Sequence, residues 1–168
     1  MKRTIDIELN YDSIMDAVRY LEQYRTWVEQ KTEQLVKALM DRGYKVVMAN
    51  QNTPGDSQPG YAHFEISSFG AQTRATLHLE GRDVLFIEFG AGVHYNGAAG
   101  SSPNPYGEPL GYVIGSYGQG KGAEDSWVYV SDDGTFKTSH GTQASMPMWK
   151  ADMEIISSVA SVAKEVFG

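Results

Sequence analysis

The residue types that most often carry chemistry are scattered along this chain. Its four histidines, His63, His78, His94 and His140, show neither the HExxH spacing nor an i, i+4 pair that would hold a metal from one helix. His63 and His78 fall on the outward faces of two predicted strands and become neighbours if those strands pair, and the pattern favours solvent-facing strand histidines. The absence of cysteine excludes disulfides, thiolate zinc sites and cysteine nucleophiles. The sequence therefore predicts no metal and no cofactor.

Two glycine-containing stretches partly match the sequence patterns of phosphate-binding and calcium-binding loops. In the stretch from Gly115 to Gly122, Lys121 is followed by glycine and not by the Ser or Thr of a phosphate-binding loop, and no helical pattern follows. The stretch from Ser131 to Gly134 holds two aspartates but lacks the other ligands of a calcium loop, and it fits a hairpin turn better. The serines lack the GxSxG elbow of serine hydrolases. We expect a protein that is not an enzyme.

Composition narrows the class of protein further. The 168 residues fit a single domain spanning 1–168, and 14 Lys and Arg against 21 Asp and Glu give a net charge of −7. Phosphate binding depends on clustered basic residues, so we expect no direct sequence-specific nucleic-acid partner. The N-terminus alternates apolar and polar residues, and no apolar run approaches the ~18 residues of a membrane span. We therefore expect neither a signal peptide nor a membrane partner.

The first 50 residues predict a strand, a long helix and a second strand. The alternation from Thr4 to Leu9 indicates a short strand, and Asp12 or Ser13 is the expected N-cap of the helix. Apolar residues spaced by three and four then form one helical stripe, which we expect to end at Gly43. This helix would be ~45 Å long at 1.5 Å per residue. The valine-rich segment from Tyr44 to Ala49 predicts the second strand.

The middle of the chain predicts an antiparallel meander. Tyr61 to Ser67 and Thr73 to Glu80 alternate apolar and polar residues, and Val84 to Phe89 is a continuous apolar run with one acid. Turns of this length join antiparallel neighbours, so we expect one sheet whose apolar face is covered by the long helix.

The end of the Val84 to Phe89 run is the most distinctive point of the sequence. Gly90 and Gly92 predict a special bend, because glycine tolerates positive φ and close backbone approach. Glu88 has two interpretations. The favoured one is an edge or outward-facing carboxylate that alternates with Ile87 and Phe89, and the other is a carboxylate fixed at the strand end to hold the following loop or a neighbouring subunit.

The segment from about 92 to 126 is a long irregular insertion rich in Gly, Pro and Tyr. Loops of this length are functional or disordered, and disordered segments are usually poor in aromatic residues. We expect this one to become ordered against a partner through Tyr95, Tyr106, Tyr112 and Tyr117, together with Trp127 directly after it. A hairpin follows, and a final helix begins at Pro147, where the missing amide costs nothing. The predicted fold class is α+β: an antiparallel β-sheet packed by a long N-terminal helix and a C-terminal helix.

Two motifs together resemble a known family. They are Phe-Ile-Glu-Phe-Gly-Ala-Gly at 86–92 and Met-Pro-Met-Trp-Lys-Ala at 146–151. In this order they resemble the gene-ten-like family of tail-completion and head–tail joining proteins of lambdoid siphophages, common in prophages of Gram-positive bacteria. The long N-terminal helix is also similar, so the likeness covers nearly the whole chain. The departures are Ala91, where threonine is commonest, and Met148-Trp149 in place of a Phe-Leu pair.

The resemblance implies a structural virion component without catalysis. It implies a homo-oligomeric ring, with six subunits as one candidate number, that contacts head-connector and tail-tube or tail-terminator proteins in the neck. The implied location is the tail or neck of the virion, and the host bacterial cytoplasm during assembly. Glu88, Gly90 and Gly92 would fix the exit from the apolar run, Pro147 and Trp149 would dock the last helix, and the aromatic residues of the insertion would contact neighbouring subunits.

A second hypothesis is a glycan-binding or glycan-cleaving module of a phage tail. Its basis is the same aromatic set in the insertion and after it, because sugars stack on aromatic faces.

Overall fold

The computed structural model describes residues 6–52, 57–70, 72–90, 104–107, 109–110, 126–139 and 141–168. This part of the chain forms three helices and two β-hairpins, which confirms the α+β class. In chain order the elements are α1 (Tyr11–Asn50), β1 (Tyr61–Phe69), β2 (Gln72–Glu80), α2 (Val84–Phe89), β3 (Trp127–Val130), β4 (Phe136–Ser139) and α3 (Pro147–Phe167).

Helix α1 begins at a capping turn and not after a strand. The side-chain oxygen of Asn10 accepts from the Ser13 amide at 2.9 Å, and the Ser13 hydroxyl accepts from the Glu8 amide at 3.0 Å. Asn10 is therefore the N-cap, and the predicted caps, Asp12 and Ser13, are wrong. The predicted strand from Thr4 to Leu9 is also wrong for residues 6–9, because these reciprocal bonds hold them against the helix start. Residues 4 and 5 lie outside the described residues.

Helix α1 also runs past the predicted stop at Gly43, and the predicted strand from Tyr44 to Ala49 is wrong. Its 40 residues correspond to ~60 Å. Leu39, Gly43 and Val47 are buried at a spacing of four, so they share one helix face. A Cβ on Gly43 would lie 2.6 Å from the Cδ1 of Ile155, so glycine here permits close approach of α3. Burial of this face outweighs the weak helix propensity of valine.

The first hairpin supplies the sheet that packs on α1. Strands β1 and β2 pair antiparallel with Ala62 opposite Leu79, which confirms the predicted strands and puts their apolar positions on one face. Val47, Ala62 and Ala151 form the buried cluster between this face and the two long helices.

Helices α1 and α3 pack antiparallel. The Lys150 ammonium donates to the Asn50 side chain at 2.9 Å at one end, and the rings of Trp27 and Phe167 meet edge to face at 5.9 Å at the other. The predicted last helix, with Pro147 in its first turn, is confirmed. The first 16 residues of α1, from 11 to 26, come before Trp27 and so extend about 24 Å beyond this contact. We call this segment the arm. None of the described helices has the length and apolarity needed to cross a bilayer.

The apolar run from Val84 to Phe89 is a short helix and not a central strand. A short apolar run does not distinguish a buried strand from a buried helix. Here Ile87, Glu88 and Phe89 are buried, and α2 packs against α3. The strands β3 and β4 form a second two-stranded sheet, so the expectation of one sheet is wrong for the described strands.

Candidate functional site

The carboxylate of Glu88 caps the N-terminus of α3 from a separate element. Its side chain accepts from the Met148 amide at 2.8 Å and from the Trp149 amide at 3.0 Å. The first amides of a helix lack partners within the helix and lie at the positive end of its dipole, so a carboxylate is well placed there. Met146, at the N-cap position, makes no side-chain capping bond. Glu88 is only 7% exposed, so the favoured interpretation of an outward-facing carboxylate is wrong.

Glu88 also holds one residue of the insertion that follows it. Asn104 is 3% exposed, and its side-chain amide donates to Oε1 of Glu88 at 2.7 Å. The oxygen of the same Asn104 side chain accepts from the Tyr106 amide at 3.0 Å, which closes a local turn. Sequence reasoning missed Asn104. Its position between two prolines is the only local signal, and it predicts a turn but not a buried partner.

The chain segment before α3 is fastened to α2 as well. The carbonyl of Ile87 accepts from the Ser145 amide at 2.8 Å and from the Met146 amide at 3.3 Å. Met146 adopts φ 53° and ψ 50°, a left-handed conformation that is uncommon for residues other than glycine. The hydrogen bonds from these two amides hold the segment in this conformation, so α2 fixes both the approach to α3 and its first turn. We call this arrangement the clasp, made by Ile87, Glu88, Asn104 and the α3 N-terminus.

Burial raises the pKa of Glu88 above its ordinary value. The hydrogen bonds from Met148, Trp149 and Asn104 and the charge of Lys150 lower the pKa part of the way back. A buried acid with a perturbed pKa beside a cavity is a typical candidate for proton transfer. Both oxygens of this carboxylate, however, already accept hydrogen bonds. The arrangement therefore serves to position the α3 N-terminus.

An apolar cavity of about 440 Å³ opens beside the clasp. The side chains that line it include Leu79, Val84, Leu85, Phe89, Leu110 and Met148. The rings of Tyr106 and Trp149 meet edge to face at 5.5 Å and line it too, and Asp152 adds a carboxylate. This lining suits an apolar side chain better than a polar metabolite.

Three further predicted site residues are described with their surroundings. Gly90 adopts φ 78°, and its amide donates to the Phe86 carbonyl at 2.8 Å, so the glycine bend ends a helix where a strand end was predicted. Pro147 is fully buried at the start of α3, and Trp149 is half-buried.

The remaining predicted site residues are not brought together by the described part of the chain. Gly92, Tyr95, Tyr112 and Tyr117 lie outside the described residues. The backbone of Trp127 pairs with Ser139 in the second hairpin, and its side chain is outside the described part.

A second group of polar side chains lies on the outward face of the first hairpin. His63 and His78 are directly opposite each other, as expected if the two strands pair. Their rings stack with centroids 4.8 Å and planes 10° apart. Glu65 lies two residues along β1 on the same face. One ligand atom from each of His63, Glu65 and His78 lies within 4.8 Å of the others. Sequence reasoning placed the two histidines but did not include Glu65.

The arm carries a third notable surface. Tyr11, Ile14, Met15, Val18 and Leu21 are 37% to 76% exposed. At about 100° per residue these five positions fall within an arc of about 120°. We call this surface the arm stripe.

No protein-family model, curated protein or solved structure matches the chain. The phage-family resemblance, the absence of catalysis, the partners and the location therefore stay predictions.

Proposed function

We propose that this protein is a structural subunit of a phage, prophage or tail-like particle that acts by self-assembly in the neck or tail-completion region, without catalysis. The observation that carries the proposal is the arm stripe, a row of exposed apolar side chains on one side of the arm, whose Ala17 is buried. The order of the motifs at 86–92 and 146–151, which resembles the tail-completion family, connects this assembly role to a phage neck.

The arm stripe needs another molecule to bury it. Ile14, Val18 and Leu21 are 45%, 41% and 54% exposed, and the arm lies beyond the end of α3. Contiguous exposed apolar surface on a soluble protein typically marks an interaction site. Since these side chains stay exposed within the subunit, a neighbouring subunit is the simplest surface to cover them.

The cavity beside the clasp is a suitable receiving surface on that neighbour. It is apolar, open to solvent and formed by different elements from the arm. Contact between two different surfaces joins subunits head to tail, which closes into a ring when the rotation permits. The net charge of −7 suits such a ring, because an acidic channel repels DNA and lets it pass without binding.

The first test is the oligomeric state of the purified chain. Light scattering on a sizing column over a range of concentrations, with negative-stain imaging of any large species, should show closed assemblies. The variant Val18→Glu/Leu21→Glu should shift them to monomer. Only about half of each side chain remains to be buried on association, which is worth about half of the ~1.5–3 kcal/mol of full burial. Loss of both then weakens association by at least about 10-fold. Both residues are exposed in the subunit, so its thermal unfolding should change little.

A matched control adds the same two charges on the opposite side of α1. Gln23→Glu/Gln30→Glu should leave assembly unchanged, because both glutamines are exposed and lie outside the arm stripe. A wild-type chain that stays monomeric at every concentration would contradict intrinsic assembly. Hydrolysis of a peptide, glycan or nucleotide that a point mutation abolishes would contradict a purely structural role.

A glycan-binding role is the second candidate. Tyr106 is 56% exposed and stands against Trp149 at the cavity, which offers an aromatic surface to a sugar ring. The cavity favours the first proposal, because its lining is mostly apolar and two of its polar side chains, Glu88 and Asn104, already bind each other. Binding of cell-wall fragments that Tyr106→Ala removes would support the glycan role.

A further inference from the structure

The outward face of the first hairpin groups two imidazoles and one carboxylate. His63 and His78 are opposite partners in the β1–β2 register, and Glu65 follows His63 by two residues. Side chains at i and i+2 of a strand share a face, so all three stand on the side away from Ala62 and Leu79. Their closest ligand atoms lie within 4.8 Å of one another.

Two nitrogens and one oxygen form the donor set of a transition-metal site. Zn²⁺ takes His nitrogens and carboxylate oxygens at about 2.0–2.2 Å, and sites with two histidines, one glutamate and a water are well known for it. Ca²⁺ and Mg²⁺ prefer oxygen ligands alone, so this set selects against them. Tetrahedral ligands at that distance are about 3.4 Å apart. The three ligand atoms, now within 4.8 Å of one another, must therefore move closer together when the ion binds.

One ring nitrogen of His63 has no hydrogen-bond partner among the described residues and so could bind such an ion. Its Nδ1 is buried and has no hydrogen-bond partner among the described residues. The two rings are nearly parallel, whereas a metal lies close to the plane of each imidazole that binds it, so one ring must turn about χ2. That turn gives the unsatisfied ring a partner, which buried polar atoms normally have. Glu65 forms no ion pair within the described part of the chain, so its exposed carboxylate is free to join.

We propose that His63, Glu65 and His78 bind a first-row transition-metal dication, with Zn²⁺ as the best fit and water completing the coordination. The site bridges the two strands of the hairpin, so the metal would act as a cross-link on the face opposite the core. This inference does not depend on the proposed function, because none of the three residues belongs to the clasp or the arm stripe.

The experiment uses the full, tag-free chain and two probes, Zn²⁺ and Co²⁺. Calorimetric titration with Zn²⁺ should give one ion per chain. Co²⁺ should give the intense visible absorption of a four-coordinate ion, and Zn²⁺ should displace it. His78→Gln and Glu65→Gln should each weaken binding at least tenfold, and His63→Gln/His78→Gln should abolish the Co²⁺ bands.

The matched control is His94→Gln/His140→Gln, which removes the other two histidines of the chain. It should leave affinity and spectrum unchanged. The proposal is overturned if wild type binds no better than His63→Gln/His78→Gln, or if the control loses binding while His78→Gln keeps it. Circular dichroism of each variant separates loss of the site from loss of the fold.

Discussion

The close contact between α1 and α3 at Gly43 lets us predict how Gly43→Ala changes the free energy of unfolding. In Gly43→Ala the new Cβ would lie 2.6 Å from Cδ1 and 3.1 Å from Cγ1 of Ile155, and 3.4 Å from Cδ2 of Leu77. Real Cβ atoms essentially never lie as close as the first of these distances, so Ile155 must move. Cδ1 is the far end of a half-buried side chain, so part of that movement is easy.

The expected magnitude is a balance of two terms. Replacing glycine by alanine inside a helix stabilises by about 1 kcal/mol. Overpacking a contact costs about 1–3 kcal/mol. We therefore expect Gly43→Ala to lower the free energy of unfolding by about 0–2 kcal/mol. Ile155→Val removes Cδ1, so in that background the same change should be neutral or stabilising, with a coupling energy of about 1–2 kcal/mol.

The assay is a double-mutant cycle by urea unfolding, followed by far-ultraviolet circular dichroism. All proteins should carry Val18→Glu/Leu21→Glu, so that assembly does not contribute to the measured stability. The matched control pairs Gly43→Ala with Ile156→Val, since Ile156 is 60% exposed and should show no coupling.

Two results would contradict this prediction. A gain of about 1 kcal/mol that is independent of Ile155 would mean that Gly43 is an uncrowded helix residue. An equal loss in both backgrounds would mean that Gly43 has positive φ and ends the helix, as the sequence alone suggested.

Two further predictions concern the clasp. Because burial raises the pKa of Glu88 above its ordinary value of 4.5, its titration contributes stability that is fully present below pH 4.5 and is lost as pH rises through the folded value. We would measure the free energy of unfolding of wild type and of Glu88→Gln from pH 4 to pH 8. The difference, wild type minus variant, should fall as pH rises. A difference that rises with pH would mean that the three donors hold the carboxylate ionised. Trp149→Ala should cost about 1.5–3 kcal/mol in urea unfolding, below the ~3–5 kcal/mol of a fully buried ring, because Trp149 is half-buried. A loss near zero would show that the ring packs on neither Tyr106 nor the cavity.

Local pattern was enough to predict several elements of this fold. The period-two alternation of the first hairpin places Ala62 and Leu79 on one face, and strand geometry requires this wherever the hairpin forms. The same short-range reasoning placed His63 beside His78 and started the last helix at Pro147. In each case the residues that interact lie within one turn or one short hairpin. They are therefore close together in the sequence, where local pattern can be recognised.

Tertiary packing decided the rest. The run from Val84 to Phe89 is apolar enough for a strand or a helix, and its contacts with α3 select the helix. From the sequence, Gly43 is predicted to end α1. It is instead a point of close packing against Ile155, which is more than 100 residues away in the chain. Glu88 alternates like an exposed strand residue, yet its partners are the amides of α3 about 60 positions later. Residue types and local periods can be taken from a short stretch of sequence, whereas the burial of Glu88 and the length of α1 depend on contacts between distant segments.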